Sequence, residues 1–256
     1  IGDEPMQFHQ KFPDLPVAVG EERMVAIPQL LHDRPQTELI ILDDAFQHRA
    51  VKAGLNILLT EYSNLFTRDF YLPTGDLRDL KSSYKRAQII IVTKCKNGIS
   101  EIEKEKIIKE IRPVDGQLIF FTGFEYGDPY HFTTRETAPL QSETDVLLVT
   151  GIANPRPLKM MLEEKHKTYQ MLQFPDHHIF SIDDWKEIIR KFGEIKTKDK
   201  IILTTEKDAV RLDKFRQEAS GIPIYILPVR HKFLFNEAAV FEKTVLQFIQ
   251  QFKQGA

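Results

Sequence analysis

An α/β fold in two lobes is predicted for this chain, and three features of the sequence predict it. Short apolar runs rich in Ile, Leu and Val recur at Leu39–Leu42, Leu55–Thr60, Gln88–Lys94, Asp145–Thr150 and Lys200–Thr205. Runs of this length with no polar alternation are the signature of strands buried on both faces, which is the situation in parallel sheets. Helical segments with one apolar face separate several of them, and the order strand, helix, strand favours parallel pairing through right-handed crossovers. A polar stretch, Thr133 to Thr144 with Pro139, divides the series in two. The expected partition is a first lobe over 1–116, a hinge over 117–144 and a second α/β lobe over 145–256.

Composition supports an ordinary globular chain. With 256 residues, 42% hydrophobic and 28% charged, there is enough apolar surface for a sizeable core. The formal net charge of −2 gives no strong basic field, so no nucleic-acid partner is expected. The one cysteine, Cys95, excludes an intramolecular disulfide framework and reads as a small buried residue. No apolar run approaches the roughly 18 residues of a membrane span, and the chain itself is expected to be soluble. It opens without Met, inside what reads as a structured segment, so an upstream piece is expected.

In the first lobe, Gly2-Asp3-Glu4-Pro5 reads as a helix start, with Pro5 in the first turn and Asp3 or Glu4 as cap. Leu15–Val19 is expected as a short strand and Glu22–Leu31 as a short helix. The Leu39–Leu42 run is expected as a buried strand that ends at Asp43-Asp44. Leu55–Thr60 and Gln88–Lys94 are two further buried strands. Ser100 with Glu103 forms a capping box for a helix whose apolar face is Ile102, Ile107, Ile108 and Ile111.

In the second lobe, Asp145–Thr150 is a strand running into Gly151, with Asn154 as cap and Pro155 opening a helix. Ser181 opens a helix with Ile182, Trp185, Ile188, Ile189 and Phe192 on its core side. Lys200–Thr205 is a strand followed by a helix that starts at Glu206, Lys207 and Asp208. Ile222–Leu227 is the last clear strand. Phe241, Val245, Phe248 and Phe252 line one side of a closing helix.

Three polar constellations can carry chemistry. In open α/β sheets ligands sit beyond the carboxyl ends of the strands, where Asp43 and Asp44 are expected. A carboxylate there suits magnesium, which prefers hard oxygen ligands and keeps substrate phosphates as others. Neighbours on an extended strand face opposite ways, so both reach one ion only if the strand breaks at Asp44; a plain turn cap is the alternative. The loop carrying Arg68, then Arg78-Asp79, offers an Arg–Asp pair able to orient a phosphate, or a surface ion pair. Asp176-His177-His178 places an imidazole beside a carboxylate, the arrangement proton transfer uses, unless the histidines are structural. A P-loop is missing: none of the 12 glycines is followed by lysine, so no G-x-x-x-x-G-K-[ST] occurs.

Six segments occur in the order of one family. They are Gly2-Asp3-Glu4-Pro5, Leu42-Asp43-Asp44-Ala45-Phe46-Gln47-His48, Leu72–Asp79 (LPTGDLRD), Thr150–Pro155 (TGIANP), Phe174–His178 (FPDHH) and Thr205–Val210 (TEKDAV). The chain thereby resembles the tetraacyldisaccharide 4'-kinase family, the lipid A 4'-kinases of the P-loop kinase class. The resemblance implies two α/β/α lobes with mostly parallel sheets, joined by a short two-stranded linker, in a P-loop NTPase-like fold that is N-terminally incomplete here. It implies ATP- and magnesium-dependent phosphorylation of the 4'-hydroxyl of an acylated disaccharide 1-phosphate, the lipid A precursor. It also implies peripheral attachment to the cytoplasmic face of the bacterial inner membrane, through an N-terminal segment not present in the chain.

By the same resemblance, Asp3 and His177 form the dyad that deprotonates the sugar hydroxyl. Asp43 and Asp44 serve the metal and phosphates with Gln47, and Arg78, Asp79 and Asn154 meet the substrate. Two departures are conservative: Ala45 stands where the family has glycine, and Asp79 where it commonly has Glu. Without the P-loop, the chain alone is expected to have little or no kinase activity. Two rivals are a metal-dependent phosphohydrolase using Asp43, Asp44 and His177, and a non-catalytic lobe binding a saccharide phosphate through Arg68 and Arg78.

Overall fold

A computed structural model describes residues 2–96, 98–165 and 168–254. The chain is α/β, with two mostly parallel sheets. It divides into two compact units that are interleaved in sequence, 1–19 with 126–230 and 20–125 with 231–256. The linear partition expected from the sequence therefore gives way to an exchange of both chain ends. The opening helix packs on an element of the second half, and the closing helix covers the sheet of the first.

The unit made of 20–125 and 231–256 holds α2 (Arg23–Asp33), β1 (Ile57–Glu61), β2 (Ile89–Cys95), α3 (Glu101–Ile111), nearly all of β3 (Leu118–Tyr126) and α7 (Ala238–Gln254). Its sheet runs in the order β1-β2-β3-β9, where β9 is Val229–Phe233. β1, β2 and β3 pair in parallel, Ile57 beside Ile89 and Ile89 beside Leu118. Ile90, Val92 and Phe121 are buried on one face against Ile107 and Ile111 of α3. Each such side chain contributes about 1.5–3 kcal/mol on burial. On the other face Ile89, Ile91 and Phe120 meet Phe233, Phe241 and Val245, so α7 closes that side. The Phe252 side chain falls outside the described residues. α3 starts at the expected capping box: Ser100 Oγ accepts from the Glu103 N–H, and the Glu103 carboxylate accepts from the Ser100 N–H.

Two expected strands are not formed in this unit or its neighbour. Leu39–Leu42 has no regular structure, and Ile41 is 86% exposed. Leu15–Val19 is likewise irregular and exposed. An apolar run becomes a buried strand only if its N–H and C=O groups find a neighbouring strand. Among the described residues the sheet ends at β1, which is itself an edge, with Leu59 exposed rather than buried.

The unit made of 1–19 and 126–230 holds α1 (Asp3–Lys11), β4 (Tyr130–His131), β5 (Asp145–Thr150), α4 (Arg156–Lys165), β6 (Tyr169–Gln173), α5 (Ile182–Glu194), β7 (Lys200–Thr205), α6 (Glu206–Leu212) and β8 (Ile224–Leu227). The sheet order is β4-β8-β7-β5-β6, parallel except for β4 on β8. The strand β9 that follows Leu227 was not foreseen: its Arg230, His231 and Lys232 are exposed and interrupt the apolar pattern. One core packs Leu147, Val149, Ile202 and Ile226 against Trp185 and Ile188 of α5; the other packs Val146, Leu148 and Leu203 against Leu158 and Leu162 of α4. Ile182, expected on the core side of α5, is exposed because it occupies the first turn, ahead of the stretch that meets the sheet.

Candidate functional site

The carboxyl ends of β5, β6 and β7 gather the polar residues of this unit. β5 ends at Thr150, whose hydroxyl donates to Asp208 Oδ2 at 3.1 Å. The next N–H, of Gly151, donates to the same oxygen at 3.0 Å, and the Gly151 carbonyl accepts from Arg211 at 3.1 Å. A side chain at Gly151 would stand 3.0 Å from the Pro175 carbonyl, which is why the close approach needs glycine. β7 ends at Thr205, the N-cap of α6, whose hydroxyl donates to Asp208 Oδ2 at 2.8 Å. Asp208 is completely buried and accepts from Arg211 Nη1 through its other oxygen at 3.2 Å.

Asp208 and Arg211 lie three apart on α6, so both side chains rise from one helix face. The Arg211 side chain is 4% exposed and continues past Asp208 to the first helix of the chain. Its Nε donates to Asp3 Oδ2 at 2.7 Å, and its Nη2 meets the same oxygen at 2.7 Å. The same Nη2 lies 3.2 Å from His177 Nδ1. Asp3 does not cap α1: Gly2 is the N-cap and makes no side-chain bond, while Asp3 in the first turn turns its carboxylate to the guanidinium.

His177 follows β6 on the Phe174–His178 loop, with its backbone in the left-handed region at φ 58°. That conformation is uncommon for a residue with a side chain and is a frequent mark of functional positions. Asp176 supports it by accepting the His177 N–H at 3.0 Å. Lys207 Nζ lies 3.3 Å from Asp176 Oδ1 and 3.4 Å from His177 Nε2. Burial pushes the Asp176 carboxyl up, but the Lys207 bond and charge and the His177 N–H outweigh it, so its pKa falls below the ordinary value.

The two histidines divide their roles. His178 stacks on Phe174 with ring centroids 4.8 Å apart and binds Asp184 Oδ2 at 2.9 Å, which makes it a structural residue. His177 keeps its ring 65% exposed, beside Asp3 at 3.7 Å. The structure thus brings Asp3 and His177 together. Asn154 lies on the loop after β5, exposed, and its side chain accepts from the Arg156 N–H at 3.1 Å, a helix-capping bond.

The other unit carries the remaining residues. Asp43 and Asp44 sit on an exposed turn, and Asp44 adopts φ 44°, so the chain has turned where the two carboxylates stand. Asp44 accepts from Arg78 Nη2 at 3.0 Å, an exposed pair, and Asp43 accepts from the Asp44 N–H at 3.0 Å. Gln47 is exposed on the same turn. Asp79 accepts from Leu80 N–H and from Arg86 Nη2, each at 2.8 Å. The Leu80 bond first, then Ser83 and the nearby Arg49 and Arg86, hold its carboxyl below the ordinary value. Arg86 in turn lies over the Phe46 ring at 4.4 Å, tying the turn of Asp43–Gln47 to the segment bearing Arg78 and Asp79. Arg68, by contrast, is engaged by Glu110 through two bonds of 2.8 and 2.6 Å.

These placements coincide with a family-wide match. The model of the family LpxK, tetraacyldisaccharide-1-P 4'-kinase, matches residues 1–250. The chain belongs to the tetraacyldisaccharide 4'-kinase family. It is 41% identical over 261 residues to the tetraacyldisaccharide 4'-kinase of Bacteroides fragilis strain YCH46, covering 98% of this chain and 69% of that one. It is 41% identical over 253 residues to the enzyme of Flavobacterium johnsoniae, with 98% and 71% covered. Among solved structures, LpxK from Aquifex aeolicus, an "apo" form in complex with ATP, superimposes with a TM-score of 0.68 at 23% identity, over 97% of this chain and 69% of that one. The likeness establishes the fold, P-loop NTPase-like with two mostly parallel sheets.

Within the tetraacyldisaccharide 4'-kinase frame, Lys207, Asp208 and Arg211 are the residues that reading the sequence did not single out for chemistry. Lys207 and Asp208 stood inside the TEKDAV segment. Arg211 had one readable sign, its spacing of three from Asp208 on a short helix.

Proposed function

We propose that the chain carries the acceptor-side chemistry of an ATP-dependent kinase that phosphorylates the 4'-hydroxyl of an acylated disaccharide 1-phosphate, the lipid A precursor. The single observation that carries this reading is the meeting of Asp3 with His177, 3.7 Å apart, on the carboxyl-end side of a parallel sheet within a chain of this family. A carboxylate beside an imidazole can accept the proton that a sugar hydroxyl loses as it attacks phosphorus. Phosphoryl transfer otherwise asks the protein for positioning and for neutralisation of charge.

Asp43 and Asp44 are the proposed magnesium residues. Their chemistry fits: two adjacent hard-oxygen donors on an exposed turn match an ion held by one or two carboxylates with phosphates as further ligands. Such an ion, when bound, supplies charge neutralisation to the phosphates of ATP. Gln47 is proposed to meet the nucleotide. Arg78 and Asp79 are proposed to meet the substrate, with Arg78 offering a fork suited to phosphate oxygen and Asp79 holding Arg86 in place. Asn154, whose carbonyl is engaged by the Arg156 N–H, is proposed to offer its amide N–H to the saccharide. Attachment to the cytoplasmic face of the inner membrane belongs to the same proposal.

The test is transfer of labelled γ-phosphate from ATP to the tetraacylated disaccharide 1-phosphate by the natural full-length protein, with magnesium present. Asp3→Asn and His177→Ala are each expected to lower kcat by about 10²–10⁴-fold, the range of general acid–base contributions. Retention of full activity in Asp3→Asn would sink the assignment.

A further inference from the structure

Arg211 has a guanidinium 4% exposed and, among the described residues, is the side chain that reaches both members of the acceptor pair. It meets Asp208, the Gly151 carbonyl, Asp3 and His177 at 2.7–3.2 Å. The direct separation of Asp3 Oδ2 from His177 Nδ1 is 3.7 Å, beyond hydrogen-bond distance. The pair is therefore joined through the guanidinium.

Two consequences follow from what a guanidinium can do. It donates and never accepts. His177 Nδ1, at 3.2 Å from Nη2, must then present its lone pair, and in the neutral ring the proton resides on Nε2. Nε2 faces the Lys207 ammonium, also a donor, at 3.4 Å and the Asp176 carboxylate at 3.6 Å; both are longer contacts than that of Arg211 at Nδ1, so the closer donor decides which nitrogen stays bare. With the opposite tautomer an N–H of the ring would point at an N–H of Arg211. At Asp3, both contacts from Arg211 fall on Oδ2, which leaves Oδ1 as the oxygen to meet a substrate hydroxyl.

We infer that Arg211 is a positioning residue of this kinase: it holds Asp3 by Oδ2, so that the hydroxyl proton passes to Oδ1, and it fixes His177 as the Nε2–H tautomer. The inference rests on the proposed roles of Asp3 and His177, but its structural half stands apart from kinase activity. In the proton transfer the O–H bond of the sugar breaks, an O–H bond forms at Asp3 Oδ1, and the oxygen keeps the electron pair with which it attacks phosphorus. The Arg211 guanidinium is unchanged, and its anchorage is on Asp208, fixed by Thr150, Gly151 and Thr205.

The experiment is long-range 1H–15N correlation of the histidine rings in 15N-labelled protein, above the imidazole titration range. The wild-type chain is expected to show His177 protonated at Nε2 and bare at Nδ1. In Arg211→Met, Asp3 becomes free to accept from Nδ1–H, and that tautomer is expected to become the major one. Arg211→Lys keeps a donor without the fork, and an intermediate mixture is expected. The His178 ring, held by Asp184 and Phe174, reports whether each variant has folded. If Arg211→Met does not fold, the wild-type tautomer and Arg211→Lys decide.

A wild-type His177 protonated at Nδ1, or a tautomer unmoved in every folded variant, would overturn the inference. In the natural full-length protein, Arg211→Lys is expected to lower kcat about 100-fold, the effect of misplacing a reacting group, with KM for ATP within about twofold by the same reasoning. An unchanged kcat would overturn the positioning role. Absence of any kinase activity in the wild type would instead count against the proposed function and leave the tautomer result intact.

Discussion

Arg211 donates to Asp3 across 208 residues of sequence, at 2.7 Å, from a guanidinium that is 4% exposed and anchored on the buried Asp208. That bond, with Lys11 on Glu206 at 3.0 Å, fastens α1 to α6. The first helix is short and apolar contacts hold it only partly, since none of its residues is fully buried. Polar ties to α6 therefore decide where Asp3 stands.

The Lys11 tie is open to test. Glu206 is 8% exposed, and without Lys11 it keeps only the Val229 N–H at 3.3 Å among the bonds described here. Lys11→Met is expected to cost about 1–2 kcal/mol, at the low end for a weakened charged group because Lys11 is itself partly solvated. Faster amide exchange confined to α1 is the expected signature; unaltered protection of α1 would refute it.

Asp208 is the anchor of the whole cluster. Asp208→Ala leaves Arg211 buried without its inner partner and frees the donors of Thr150, Gly151 and Thr205. A loss of about 3–5 kcal/mol is expected, the usual cost of breaking a buried ion pair from one side. Urea midpoints of wild type and variant measure it, and a shift equivalent to less than about 1 kcal/mol would contradict the anchor role.

At the start of α3, Glu103 has its pKa lowered to about 2, first by the Lys96 bond, then by the Ser100 N–H and the Tyr62 hydroxyl. A carboxyl whose pKa falls on folding adds stability that is present above its ordinary value of 4.5 and disappears as pH drops toward about 2. Glu103→Gln is expected to flatten that part of the stability profile. Parallel profiles for the two proteins between those pH values would show that this carboxylate contributes nothing there.

Cys95, at the end of β2, is 5% exposed, and burial pushes its thiol up to about 11. A neutral, enclosed thiol is a poor nucleophile. Iodoacetamide near neutral pH should leave the folded chain unmodified and add one equivalent in denaturant. Rapid labelling of the folded chain would show the strand end opening.

The sequence by itself determined the α/β class, the positions of β2, β5 and β7, the capping box at Ser100 and the helix start at Ser181. Each depends on neighbours along the chain: an uninterrupted apolar run, or a hydroxyl three residues ahead of an acid. Motif order also determined the family and pointed to Asp3 and His177, because residue identity survives where geometry is not yet known. Tertiary structure decided the rest. Leu39–Leu42 is as apolar as β2, yet it forms no strand and leaves Leu39 and Ile41 exposed, since burial needs a strand beside it and pairing is a property of the sheet. Arg211 looks like any helix arginine until Asp3 and His177, distant in sequence, converge on it. Which side chains share a buried guanidinium is set by how strand ends and helix starts come together in three dimensions, and no local pattern encodes that.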